Sequence, residues 1–267
     1  MDDDLELTAA DVTARISPCL GGRLTGLVIG GTELLRQGDR YGSFPMAPWC
    51  GRLRDGRFTV DTNVHQLALN APPHAIHGTV RSGAWEVTQA SRTRATLVRS
   101  LAGPWPFAGQ VLQRFELSEH ALTMEMEITS EADRFPAQAG WHPWFLRRPR
   151  PDIADVGVAF EPAWQEERGA DHLPTGQRIP PRPGPWDDCF AMPGGVDVVL
   201  EWPPLLRLRI RSPERWVVLY DEQVEAVCVE PQSGPPNGLN TMPRFVTPAD
   251  PLRTETVWTW EYCEEVS

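Results

Sequence analysis

A chain of 267 residues with 41% hydrophobic and 23% charged side chains is long enough to bury a sizeable core and has an ordinary soluble composition. A formal net charge of −11 excludes the basic footprint that nucleic acid or an anionic membrane surface requires, and no apolar run approaches the ~18 residues of a bilayer span. All 25 basic residues are arginine, which removes Schiff-base chemistry, pyridoxal phosphate enzymes and the P-loop lysine.

The predicted elements are short strands with apolar/polar alternation. In chain order they are Thr13–Ile16, Leu24–Ile29, Arg57–Val60, His65–Leu69, Trp85–Ala90, Ala95–Leu101, Gln110–Leu117 and Ala121–Ile128. Then come Asp155–Ala159, Leu205–Ile210, Trp216–Tyr220, Ala226–Val229 and Thr254–Trp260. Leu122, Met124, Met126 and Ile128 alternate with Thr123, Glu125 and Glu127, the pattern of a half-buried strand. Turn signals recur between the runs at Gly21-Gly22, Gly30-Gly31, Asp55-Gly56, Pro72-Pro73 and Ser118–His120. With 27 prolines and 22 glycines, long helices would be interrupted often. The expectation is one all-β domain over residues 1–267, a large antiparallel β-sandwich. The Pro/Arg-rich stretches Arg147–Asp152 and Arg178–Trp186 read as stiff loops rather than linkers.

The acidic opening, Met1–Leu7 (MDDDLEL), differs from a secretory leader, which points to a cytoplasmic protein. Cys19, Cys50, Cys189, Cys228 and Cys263 are odd in number and widely spaced, with no CxxC pair. They read as reduced thiols packed as small hydrophobes.

Four polar clusters lie in apolar, Pro/Gly-rich settings. In Ala47–Arg57 (APWCGRLRDGR), three arginines form either a solvated face or, through Arg52, a forked donor to ligand oxygens. In His74-Ala-Ile-His77-Gly78 the flanking prolines and glycine favour a loop facing a ligand over metal ligation. In Gly140–Phe145 (GWHPWF), His142 is either a core histidine in an aromatic cluster or an imidazole held in an aromatic pocket. In Val227–Asn240, Glu230 stands where an apolar strand gives way to a Pro/Gly/Asn-rich loop, either as a positioned base or turned to solvent. Eleven tryptophans against three tyrosines add a slight tilt towards sugar stacking.

Taken together and in order, APWCGRLRDGRF, AIHGTV, GWHPWF, WDDCF (Trp186–Phe190) and VEPQSGPPNGLN resemble the aldose 1-epimerase (galactose mutarotase) family. The resemblance implies a β-supersandwich with an open sugar cleft, no cofactor and no metal. It implies His142 as general acid and Glu230 as general base, with Arg52, His77 and Asp187 binding sugar oxygens. The resemblance implies Asp187 rather than Asp188, because the family's aspartate precedes the phenylalanine, here Phe190, by three positions. The chain departs from the commoner family pattern at Gly51, His74 and Trp144. The expected partner is a small-molecule sugar substrate, with no nucleic acid or membrane, and the expected state is a monomer or weak homodimer.

Three rivals remain at the level of sequence. A hexose-6-phosphate 1-epimerase would use Arg54, Arg57 or Arg81 for the phosphate. A glycoside hydrolase would pair Asp187 with Glu230, and a binding module would use tryptophans alone as a platform.

Overall fold

Period-2 alternation decides which way each strand faces. In Ala121–Ser130, Leu122, Met124, Met126 and Ile128 are buried while the residues between them are half-buried. The strand pairs antiparallel with Gly109–Leu117 and Leu252–Tyr262, setting Met124 against Phe115 and Thr256. The computed structural model describes residues 4–263, so Met1–Asp3 of the acidic opening lie outside the described residues.

Two large antiparallel sheets stack face to face. One has twelve strands, and its main path runs Leu5–Ala9, Val12–Ser17, Arg23–Ile29, Ser43–Met46, Gly140–Pro143, Ala226–Gln232, Trp216–Tyr220, Asp187–Ala191, Trp164–Arg168 and Pro174–Ile179. Thr32–Glu33 and Phe145–Leu146 pair off that path. The other has eight strands, in the order Glu86–Ala90, Arg94–Ser100, Gly109–Leu117, Ala121–Ser130, Leu252–Tyr262, Leu206–Ser212, Val196–Trp202 and Gly157–Phe160. The expected antiparallel β-sandwich is the fold observed.

The core lies between the sheets and draws on both, with Leu27, Trp141, Phe145, Val217 and Val229 from one and Phe115, Met124 and Trp258 from the other. A polar link crosses it. The Trp141 indole N–H donates to Gln113 Oε1 at 2.9 Å, and Gln113 Nε2 donates to the Gly22 carbonyl at 3.0 Å. Such buried groups are costly unless paired, and here each pairing ties the two sheets together.

Several elements differ from the sequence expectation. His65–Leu69 is strand only as part of Asn63–Gln66. Ala226–Val229 does not stop at Glu230 but continues to Gln232, because Pro231 and Gln232 still pair with Val217 and Trp216. Arg178 lies in the strand Pro174–Ile179 rather than in a loop. Ser43–Met46, Gly140–Pro143 and Asp187–Ala191 are strands that alternation did not predict. They are buried almost throughout, so both faces carry side chains of similar exposure and the period-2 signal is lost. None of the described helices is long and apolar enough to cross a membrane.

Candidate active site

The outer face of the twelve-stranded sheet collects the predicted site residues. From Gly140 to Leu146, Trp141 and Phe145 point into the intersheet core, while His142 and Trp144 line a cleft on the opposite face. Along Ala226–Gln232, Val227 and Val229 point inward and Glu230 and Gln232 line the same cleft. Gly140 is the antiparallel partner of Gln232. Two residues along each strand, that register sets His142 against Glu230. His142 also pairs with Phe44 on its other side, and Glu230 with Val218.

The cleft holds about 310 Å³, within the usual range for a small-molecule site. At its floor, His142 Nε2 lies 3.2 Å from Glu230 Oε1, with side chains only 7% and 2% exposed. Gln232 Nε2 donates to the other Glu230 oxygen at 3.1 Å. The imidazole is clamped between Phe44, 4.7 Å away by ring centroids, and Trp144, stacked at 5.0 Å and 13°. Of the two readings left open for His142, it occupies an aromatic cluster that forms a cleft wall.

Burial pushes both members of this pair towards their neutral forms. Desolvation, reinforced by the Asp187 charge, raises the Glu230 carboxyl well above the ordinary range. Desolvation, aided by the Arg81 guanidinium, lowers the His142 imidazole to about 3. Both shifts favour the neutral forms, so a proton held by the pair rests by preference on the carboxyl, with the imidazole within reach to receive it.

His77 meets His142 edge-on at 5.0 Å, and burial followed by the charge of His142 keeps its own basicity well below normal. Its backbone is left-handed, φ 60°, and its N–H donates to the Gly51 carbonyl at 3.0 Å. The next residue must be glycine. A Cβ on Gly78 (φ 71°) would lie 1.9 Å from the Ala47 carbonyl oxygen. Gly51 is also left-handed, φ 59°, a conformation in which glycine and asparagine are at home. Glycine at this position thus suits the loop geometry.

Arg52 lines the cleft, and its Nη1 lies 3.9 Å from Asp187 Oδ2. No side-chain hydrogen bond engages its guanidinium among the described residues, which leaves its donors for a ligand. Its carbonyl accepts from the Asn237 N–H at 2.7 Å. Gln138 ties the same two loops together, accepting from the Cys50 N–H at 3.3 Å and donating to the Pro235 carbonyl at 2.9 Å. Beside Arg52, Asp187 is held by Arg168, whose Nη1 donates to its Oδ2 at 2.6 Å, and His172 Nδ1 lies 3.3 Å from the same atom. The neighbouring Asp188 also reaches the cleft.

Other sequence candidates fall elsewhere. His74 is a structural clamp, accepting from the Asp55 N–H at 3.1 Å and lying 3.2 Å from the Asp171 carbonyl. Arg54 pairs with Asp171 and Arg57 with Gln66, both at exposed positions and neither on the cleft. Arg81 does face a cavity, a second cleft of about 640 Å³ that shares His77, His142 and Trp144 with the first. Gln232 stood unremarked in a quoted motif, whereas Arg168 and His172 carried no local signal and reach the site through strand order.

The fold has known counterparts. A putative aldose 1-epimerase from Escherichia coli K12 superposes with a TM-score of 0.85 at 19% identity, covering 97% of this chain and 99% of that one. A galactose mutarotase-like protein from Clostridium acetobutylicum gives 0.86 at 17% identity, covering 96% and 94%. Galactose 1-epimerase from Lactobacillus acidophilus NCFM gives 0.80 at 15% identity, covering 96% and 93%. No curated protein matches at the sequence level. The family model for aldose 1-epimerase matches residues 3–243, a span that holds all five predicted site residues and every strand of the two large sheets except Leu252–Tyr262, and the chain therefore belongs to the aldose 1-epimerase family.

Proposed function

We propose that the protein is a mutarotase that interconverts the α and β anomers of a free aldohexose such as glucose or galactose, without a cofactor. The reading rests on one observation above the rest, the buried His142–Glu230 pair at 3.2 Å on the floor of a sugar-sized cleft. Anomer exchange needs a proton taken from the C1 hydroxyl and another delivered to the ring oxygen. In the reactive form the proton of the pair sits on His142. Glu230 takes the hydroxyl proton as His142 protonates the ring oxygen, the C1–ring oxygen bond breaks, and the open aldehyde results. Rotation about C1–C2 presents the other carbonyl face, and the reverse transfers close the ring with the proton count of the pair restored. Each transfer is worth roughly 10²–10⁴-fold.

Arg52, His77 and Asp187 hold the sugar by its oxygens, with Arg52 donating, Asp187 accepting and neutral His77 able to do either. Galactose is a natural first substrate, since a galactose 1-epimerase shares the fold. The test is anomer exchange followed by polarimetry or NMR from pure α-glucose and α-galactose. Catalysed exchange of either supports the reading, and the uncatalysed rate with both counts against it.

A second reading is favoured by Arg81. This guanidinium has no hydrogen bond or ion pair among the described residues, lies over the Phe44 ring at 5.5 Å and lines the second cleft with Arg40. An unpaired, half-buried arginine beside the acid–base pair suits a substrate bearing phosphate, so glucose 6-phosphate belongs in the same assay. The glycoside hydrolase reading lacks such support, because Glu230 is engaged by His142 and Gln232 and Asp187 by Arg168.

A further inference from the structure

Behind the acid–base pair, the same strand brings up a third potential ligand. Cys228 precedes Glu230 by two residues, so both project from the same face of Ala226–Gln232, away from the core-facing Val227 and Val229. The Cys228 Sγ, one imidazole nitrogen of His142 and one carboxylate oxygen of Glu230 all lie within 4.8 Å of one another, and all three residues are buried. We propose that His142, Cys228 and Glu230 form a chelating site for a borderline divalent cation, zinc above all, whose occupation blocks the cleft by capturing its acid and its base together.

The donor set selects the metal. One thiolate sulfur, one imidazole nitrogen and one carboxylate oxygen suit Zn²⁺, whereas Mg²⁺ and Ca²⁺ require oxygen ligands. Atoms bound about 2.0–2.3 Å from a tetrahedral zinc lie roughly 3.3–3.8 Å apart. His142 and Glu230 already stand at 3.2 Å, and small side-chain rotations bring in Cys228. His142 and Glu230 both line the open cleft, which gives the ion a route in and supplies water for the remaining position. The geometry is that of three protein ligands with one open position. Among the described residues no other group of His, Cys, Asp and Glu converges in this way.

The site stands apart from the sugar reading, because metal binding is measured without turnover. The metal-free protein carrying Cys19→Ser and Cys263→Ser, which removes the two partly exposed thiols, is titrated with Zn²⁺ by calorimetry and with Cd²⁺ by ultraviolet absorption. One ion per chain and a thiolate-to-cadmium charge-transfer band are expected. Adding Cys228→Ser removes the band and weakens zinc binding by about 100-fold or more, beyond the roughly 10–100-fold that loss of a supporting partner costs. Any anomer exchange inhibited by zinc loses that sensitivity in the same variant. Circular dichroism checks its fold, and should serine not be tolerated, Cys228→Ala and cadmium NMR of the Cys228-containing protein read the sulfur ligand instead. No stoichiometric zinc, no thiolate band, or unchanged affinity without Cys228 would each overturn the site. Zinc held through Cys228 in a chain that exchanges no anomers would sustain the site and count only against the mutarotase reading.

Discussion

His142 and Glu230 come from strands more than eighty residues apart in sequence, yet the antiparallel register Gly140↔Gln232 sets them side by side, Nε2 to Oε1 at 3.2 Å. Neither side chain reaches the site through a flexible loop. Each projects from the middle of a twelve-stranded sheet, a placement that holds a proton-transfer pair within hydrogen-bond reach before substrate arrives.

The opposed shifts of this pair have a consequence for pH dependence. Isolated side chains would hold one proton between them only from about 4.3 to 6.5. Here the imidazole is lowered to about 3 and the carboxyl is raised, so the one-proton form survives further into acid, and the raised carboxyl sets its alkaline limit. Acid adds a second proton and removes the base, whereas alkali removes the only proton and with it the acid. The kcat/KM profile is expected to be a bell whose acid limb falls below that interval. A bell confined within it would contradict the shared-proton description.

Legibility of the site followed from chemistry rather than from strand prediction. His142 and Glu230 were recognisable because prolines and aromatics fix their surroundings. Yet the strand carrying His142 was missed, since GWHP is buried on both faces and shows no alternation. Leu122, Met124, Met126 and Ile128 alternate with a polar, half-buried row and so announce their strand. The partners of Asp187 were invisible for another reason. Arg168 lies nineteen residues away in sequence and meets it only because Trp164–Arg168 is laid beside Asp187–Ala191 in the sheet.

Gly78→Ala tests how the loop presents His77. The left-handed backbone alone costs an alanine about 1–2 kcal/mol, and the 1.9 Å approach to Ala47 adds to it. Urea denaturation is expected to show a loss of at least about 2 kcal/mol, and the folded remainder should bind sugar weakly. Wild-type stability would mean that the loop relaxes freely.

Gln113→Leu tests the polar link under the site. It strands the Trp141 indole N–H and the Gly22 carbonyl in the core, at an expected cost of about 2–4 kcal/mol in the same assay. A change under about 0.5 kcal/mol, the scale of a surface substitution, would show that the link does not hold the sheets.

Arg81→Ala separates the two substrate readings. If phosphate docks in the second cleft, KM for glucose 6-phosphate rises about tenfold or more, as expected on losing a charge-assisted contact worth at least about 1.5 kcal/mol. KM for the neutral sugar stays near its starting value. Equal effects on both sugars would remove the case for a phosphate site.

The most direct test of the account is anomer exchange by magnetisation-transfer NMR at neutral pH, with the unmutated chain beside Glu230→Gln and His142→Asn, both shown by circular dichroism to be folded. Each substitution is expected to lower catalysed exchange by roughly 10²–10⁴-fold while leaving the protein intact. Near-wild-type exchange in either folded variant would contradict the assignment of base and acid to Glu230 and His142.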